Sequence, residues 1–563
     1  MRVGDGMWRG ARRGALALAF ASVSSLALAA PHKAATDPRD AKINQLEQDV
    51  EQLMQDNQRL HAEDQQLAAR AQDLEAEVQT LKAGQDKQAQ TIATATQTIQ
   101  TVQASEPPPP SLVGNMLNGR PIFTSPNGRF TLTLHTVMQL DTGGYFQPAA
   151  GPLSTDLRRS GPALGATAGN VDLAHARDLK DGTDFRRARI GIDGTVFGDW
   201  DYRLLLDFGG SGVENTGQLY ETWIQYSALK PLRLRAGAFP PTIGLDDSAS
   251  TNGMPFMERS AIEDMARGFA AGDTRLAAQA YGWGDHWLAS FAVTGRTVGV
   301  LNTGTATAVP QTFGDQLGFV ARVAASPLHG DDWLIHVGAH GSYVDRPPNS
   351  TGPAANGLAP VSGRVLAFSN TQQLRIDGTK LINTGNIDAR SGYTAGVELA
   401  AQKGPFLLQS EYEEFGVDRS DIASQPTFNG WYVEGVWTIT GEPRVYNRQT
   451  AAFDAPIPAH PFNWDSGSWG AFEIGARYAD ADLNYHAGNP GTAPSATAIR
   501  GGEEQNVSLD LNWYPNAVTK FMLDWEHVRI LRLSPNAAIY QTPKGAQIGQ
   551  TYDALAVRSQ FSF

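Results

Sequence analysis

No cysteine occurs among the 563 residues. That excludes a disulfide scaffold, thiolate zinc sites, iron–sulfur clusters and cysteine nucleophiles. Charged residues make up only 18% of the chain, and 58 acids against 45 lysines and arginines leave a formal net charge of −13. This is the wrong sign for bulk nucleic-acid binding, so no nucleic-acid partner is expected. Beyond residue 30 no run of 18 apolar residues is found, and the mean hydropathy is −0.31, which excludes a bundle of membrane-spanning helices. The Gly-Lys dipeptide of a phosphate-binding loop is absent, as are the GxSxG and GxGxxG patterns, so the chain lacks the common signatures of nucleotide, acyl-transfer and dinucleotide chemistry. No catalytic residue, cofactor or metal is expected.

The N-terminus carries an export signal in three parts. Arg9, Arg12 and Arg13 precede the apolar stretch Ala15–Ala29, which ends in the small-x-small site Ala27-Leu28-Ala29, the layout of a cleaved signal peptide over residues 1–29. A short linker, 30–42, follows. Residues 43–103 then hold an unbroken heptad phase with leucine at six consecutive d positions: Leu46, Leu53, Leu60, Leu67, Leu74 and Leu81. This predicts a long α-helical coiled coil, a rod of roughly 90 Å at 1.5 Å per residue. Asn57 and Asp64 fall on the a seam, where polar residues lower stability and fix register. Residues 104–121 form a Pro-rich linker, stiffened by Pro107–Pro110.

From residue 122 to 563 the pattern changes to alternation. In the stretch 130–141, Phe130, Leu132, Leu134, Met138 and Leu140 share one face, while Thr131, Thr133, His135, Gln139 and Asp141 share the other. About sixteen such runs follow one another, each roughly ten residues long, which is the spanning length of a tilted barrel strand. One side has short connections (Phe197–Trp200, Asp285-His286, Asn516–Thr519) and the other long ones (142–184, 240–273, 345–391, 484–502). The fold class is therefore all-β: a 16-stranded antiparallel transmembrane β-barrel in the outer membrane, with the rod on its periplasmic side. Aromatic residues near strand ends (Trp200, Trp283, Trp287, Trp431, Trp513, Tyr514, Trp525) are expected to form interfacial girdles.

Lumen parity gathers Arg187, Arg189, Arg203, Arg233, Arg235 and Arg322 from the first half of the strands, and Glu398, Glu411, Glu413, Glu434, Glu473, Asp510, Asp524 and Glu526 from the later half. The expectation is a cationic wall facing an anionic one; the alternative is that these charges pair across the lumen and fill space. His336 and His340 are read as ordinary lumenal histidines. Asp246-Asp247 and Glu263-Asp264 are read as solvated loop charges rather than as a calcium site.

Several segments, in order, resemble the phosphate-selective porin O and P family: Phe185-Arg186-Arg187-Ala188-Arg189-Ile190-Gly191, Phe197-Gly198-Asp199-Trp200-Asp201-Tyr202, Phe239–Leu245, Phe256-Met257-Glu258-Arg259, Ile439–Arg444, Trp469-Gly470-Ala471-Phe472-Glu473 with Arg477-Tyr478, and Asn512-Trp513-Tyr514-Pro515. The resemblance implies a homotrimer of barrels that passes small anions, phosphate among them, with the loop 240–273 folded into the pore as a constriction. It puts Arg186, Arg187 and Arg259 at a narrow anion site. Together with lumen parity the expected anion-binding residues are Arg186, Arg187, Arg189, Arg233, Arg235 and Arg259. Val137 and Asp247 stand where phosphate-selective members place basic residues, and the loop 345–391 lacks a dense run of arginines. A general-diffusion porin, or a barrel that anchors the rod to the cell wall with peptidoglycan as its partner, are the competing expectations. Outer-membrane lipid and lipopolysaccharide are the expected surroundings.

Overall fold

The structure is a computed structural model. It describes a helical stretch within residues 69–96 and most of 112–563, apart from segments 149–178, 211–216, 270–272, 299–315, 349–362 and 535–544 and a few single positions. The signal peptide, the linker 30–42, the start and end of the heptad region and Pro107–Pro110 lie outside the described residues. The chain divides into two units, 1–109 and 110–563. In the first, residues 72–94 are helical, and Leu74, Val78, Leu81 and Ile92 on the heptad seam are exposed in the single chain.

The second unit is a closed barrel of sixteen antiparallel strands: Thr131–Phe146, Gly182–Val196, Trp200–Asp207, Gln218–Tyr226, Leu232–Phe239, Arg275–Trp283, Trp287–Thr297, Leu317–His329, Trp333–Arg346, Ile387–Lys403, Phe406–Arg419, Thr427–Thr438, Ala471–Tyr485, Ile499–Tyr514, Thr519–Leu531 and Thr551–Ser562. Closure comes from the last strand pairing with the first, from Asp553↔Phe146 to Ser562↔Val137. The wall thus has no open edge, which a span through hydrocarbon requires. Each expected run corresponds to one strand. Alternation is visible along Ile387–Lys403, where Val397 and Leu399 point outward and Glu398 and Ala400 inward. Leucines this exposed need lipid rather than water around them.

Several strands extend past their expected ends on the long-loop side. Ile387–Lys403 and Ile499–Tyr514, of 17 and 16 residues, exceed the expected length of about ten. Beyond the hydrocarbon no lipid selects an apolar face, so alternation fades while pairing continues. Val113–Leu117 and Arg120–Thr124, largely inside the stretch read as linker, form a hairpin whose second strand pairs with the first barrel strand at Ile122↔Thr133. The aromatic girdle is present at the short-turn end, where Phe406 stacks on Trp437 and Trp513 on Phe521. Tyr514 is not part of it: it is buried and donates to Glu473 Oε1 at 2.8 Å.

One connection breaks the expected alternation of lengths. Residues 439–470 lie on the short-turn side, yet they carry a hairpin, Arg444–Asn447 with Ala452–Pro456, whose Arg444, Ala451, Ala452 and Phe453 are buried. It enters the lumen from below. Arg322 donates to the carbonyls of Thr450 (2.6 Å) and Ala451 (2.9 Å), and His336 meets the Tyr446 hydroxyl at 2.9 Å.

Candidate functional site

The loop between Phe239 and Arg275 folds into the lumen. It contains the short helix Leu245–Ser248 and the helix Ala261–Gly268. Its apolar residues drive it inward: Ile243, Met257, Ile262, Met265 and Phe269 are buried in one cluster with Leu366, Phe368, Leu374 and the wall residues Phe415, Phe428 and Tyr432. Between the helices the chain is irregular, so its carbonyls need donors from elsewhere. The wall and the lumenal hairpin supply them. Gln560 donates to Asn252 O (2.9 Å), Lys520 to Met254 O (2.6 Å), Asn512 to Pro255 O (2.8 Å), Arg477 to Glu258 O (3.0 Å), and Arg444 and Arg558 to Gly253 O and Met257 O.

This anchoring places Glu258 among arginines. Arg186 grips its carboxylate with two bonds (2.8 and 3.0 Å), Arg187 with two more (both 3.1 Å), Arg558 with one at 2.9 Å, and Arg375 lies 3.8 Å away. Arg186 and Arg187 are consecutive and should point to opposite faces of a strand. They reach the same carboxylate because the register slips: Gln139 pairs with Arg187, but Leu140 pairs with Phe185. Arg186 is the extra residue of a bulge, which re-aims its side chain into the lumen. Glu258 is 1% exposed. Burial by itself would raise its carboxyl, but Arg186, Arg187, Arg375 and Arg558 overcome this and hold it well below the usual range. Arg558 is also forked onto Asp141 at 2.6 and 2.7 Å, and Arg375 is paired with Asp264. Among the described residues, Arg186 and Arg187 have no other carboxylate in ion-pair range.

Beside the clamp lies a polar cavity of about 250 Å³ lined by Arg186, Arg187, Arg189 and Arg267 with Asp207, Tyr220 and Asp273. Three of the six expected anion residues therefore converge. Arg189 is paired with Asp207 at 2.8 Å and sits 3.7 Å over the Tyr220 ring. Arg259 is elsewhere and does a different job: it is buried and donates to the carbonyls of Asp246, Asp247 and Ala249 (3.3, 3.2 and 3.1 Å), stitching the loop to itself. Arg233 and Arg235 lie on the lumen side toward the short-turn end. Arg233 stacks 3.2 Å over Trp283. Arg235 bonds Gln225 (3.0 Å) and Tyr281 (2.7 Å) and lies over Trp223. Among the described residues neither has a carboxylate within ion-pair distance, so neither is locked in an ion pair.

The expected pair of opposed walls is cancelled in part. Arg322 forks onto Glu398 (2.8 and 2.7 Å), Arg444 onto Glu473 (2.8 and 2.7 Å), and Arg477 lies 3.6 Å from Glu434. A lumen packed with loops is poorly hydrated, and an unpaired charge there is costly, so opposite charges are brought together. His336 and His340 do not stand apart: both bond Glu398, at 3.0 and 2.8 Å. Asp246 and Glu263, read as solvated, are buried. The Arg444, Lys520 and Arg558 contributions were not expected from the sequence. Each sits at a lumen-facing strand or turn position, and only the three-dimensional neighbourhood shows its partner.

Comparison with known proteins gives three findings. The profile of a family described as "Phosphate-selective porin O and P" matches residues 163–563. Porin O of Pseudomonas aeruginosa is 26% identical over 366 residues, which span 63% of this chain and 78% of that protein. Among solved structures, an anion-selective porin from Comamonas acidovorans is 12% identical with a TM-score of 0.42, covering 77% of this chain and all of that one. The outer-membrane channel DcaP of Acinetobacter baumannii is likewise 12% identical, with a TM-score of 0.39 and coverage of 78% and 99%.

Proposed function

The chain belongs to the phosphate-selective porin O and P family, an outer-membrane β-barrel porin and not an enzyme, and we propose that it passes small anions of the phosphate and oxyanion type past an arginine-lined constriction. The observation that carries this reading is the pair Arg186 and Arg187, turned to one side by a bulge and bordering a polar cavity. Guanidinium groups in fixed positions replace part of an anion's hydration shell. Arg233 and Arg235, which form no ion pair among the described residues, supply further steps toward the short-turn end. Glu258 occupies the position that a bound oxyanion would take between Arg186 and Arg187. It acts as a built-in competitor, so phosphate is held weakly.

The test is the permeability ratio of chloride to potassium in planar bilayers for the wild type, Arg187→Ala and Arg235→Ala. Anion preference that falls in both variants supports the reading; cation preference in the wild type, or unchanged ratios, overturns it in favour of a general-diffusion porin. A homotrimer in lipid and lipopolysaccharide is part of the same proposal. The apolar seam left exposed on the helix at 72–94 favours a periplasmic rod that associates with other copies, with peptidoglycan as its candidate partner.

A further inference from the structure

The outer face of the barrel carries a recess that the channel reading does not use. Strand pairing sets one outward row across neighbouring strands: Ile335, Ala401, Leu408, Gly435, Ala476 and Leu509. Ala401, Gly435 and Ala476 are small, whereas the flanking rows are bulky. Toward the short turns stand Phe406 and Trp437, stacked with ring centroids 5.5 Å apart. Toward the long loops stands Tyr478, packed against Trp431. The result is an apolar groove of about 880 Å³. A Cβ added at Gly435 would meet only the tip of Leu408, at 3.9 Å, so the space above this glycine is open. Lys403 stands at the short-turn end of the groove. It lies two residues beyond Ala401 on the same face, exposed, and is paired across the strands with Trp333. Among the described residues it forms no ion pair.

A groove in hydrocarbon is filled by something apolar, because empty space forfeits dispersion contacts along the whole lining. The wall of a second copy is itself convex and would bridge the recess rather than enter it. A hydrocarbon chain is thin and flexible enough to fill it. Short turns lie on the periplasmic side, so Lys403 stands at the headgroup level of the inner leaflet, where Trp333 and Trp437 also sit. An unpaired ammonium there attracts an anionic headgroup. A zwitterionic headgroup carries an ammonium of its own, which opposes that attraction. We propose that this groove holds one anionic phospholipid of the periplasmic leaflet, with an acyl chain in the recess and the phosphate beside Lys403. The site is on the exterior of the barrel and does not depend on which ions the lumen passes.

The experiment is native mass spectrometry of the full-length protein, stripped of lipid in detergent and titrated with dipalmitoyl phosphatidylglycerol or, separately, dipalmitoyl phosphatidylcholine. The expected result is one saturable phosphatidylglycerol per chain, held about fivefold more tightly than phosphatidylcholine, the worth of one lysine at a membrane surface. Gly435→Leu fills the recess and should weaken retention of both lipids about tenfold, since displacing about two methylene groups suffices for that. Lys403→Gln should hold the two lipids equally. Leu204→Phe, at an exposed wall position on another strand, should leave retention unchanged. Each variant is checked for the folded, unheated gel band; Gly435→Leu and Lys403→Gln act at separate points, so either folded variant suffices. Absence of a saturable equivalent in the wild type, equal retention of both lipids by the wild type, wild-type retention in a folded Gly435→Leu protein, or an undiminished preference in a folded Lys403→Gln protein overturns the site. Dissociation of an oligomer in Gly435→Leu would make the recess a contact between copies, which overturns it as well.

Discussion

Replacing Glu258 with Gln removes the carboxylate that four arginines approach while keeping its shape. Arg558 retains Asp141 and Arg375 retains Asp264, so the change leaves Arg186 and Arg187 as two uncompensated guanidinium groups beside the cavity. An anion entering at about 4 Å from one of them gains about 4 kcal/mol at an effective dielectric of about 20, and loses about 3 kcal/mol to Glu258 at a separation on the order of 6 Å. Removing that repulsion strengthens anion binding by a hundredfold as an upper bound, and screening by solvent and ions in the lumen reduces this to about tenfold. The variant should therefore show chloride current blocked by phosphate at about one tenth of the wild-type concentration, and a larger chloride-to-potassium ratio. Folding stability should fall at the same time, by about 3–5 kcal/mol, because a buried ion cluster loses its centre. The assay is single-channel conductance titrated with phosphate, on protein whose unheated gel band confirms a closed barrel. Unchanged or weaker block in the folded variant would show that Glu258 does not compete with permeant anions.

Other consequences are open to direct measurement. Because the Glu258 carboxyl is depressed from its ordinary 4.5, its stabilising contribution is complete above that value and is lost only as pH falls through the lower folded value. The stability difference between wild type and Glu258→Gln should stay constant from pH 7 to about pH 5, and a difference that already shrinks across this range contradicts the clamp. Arg322→Ala leaves Glu398 buried without its fork and should lower stability by about 3 kcal/mol or more, read as the temperature at which the unheated band converts; no shift would mean that His336 and His340 suffice. Arg259→Ala should disturb conductance through loss of loop order, with protease sensitivity rising in 240–273; reduced anion preference with an unchanged digestion pattern would instead make it a direct anion ligand. Residues 40–105 alone should be helical and sediment as trimers, and their deletion should leave the barrel folded; a monomeric peptide would refute the rod.

The wall was legible because lipid imposes a period of two on every strand that crosses it, and the inward folding of the loop 240–273 was legible only by resemblance. What escaped the sequence lies where no such period operates. The hairpin Arg444–Pro456 mixes Arg444, Tyr446 and Phe453 without alternation, since it touches lumen residues on several sides. The bulge at Arg186 leaves no local mark, because a slipped register appears only against the partner strand at Gln139 and Leu140. Arg558 sits in a last strand that attracts notice for its terminal Phe563 and pairs with Asp141, 417 positions away. Asp246 and Glu263 look like solvated charges in a loop rich in small residues. They are buried because Leu245, Ile262 and Met265, next to them in the chain, carry both helices into the lumen.

Single-channel recording of the purified full-length protein across a potassium chloride gradient tests the central claim most directly. Discrete conductance steps with a reversal potential on the chloride side are the expected result. Steps that reverse on the potassium side would contradict it, and a folded barrel that inserts without conducting would make the molecule an anchor for its rod.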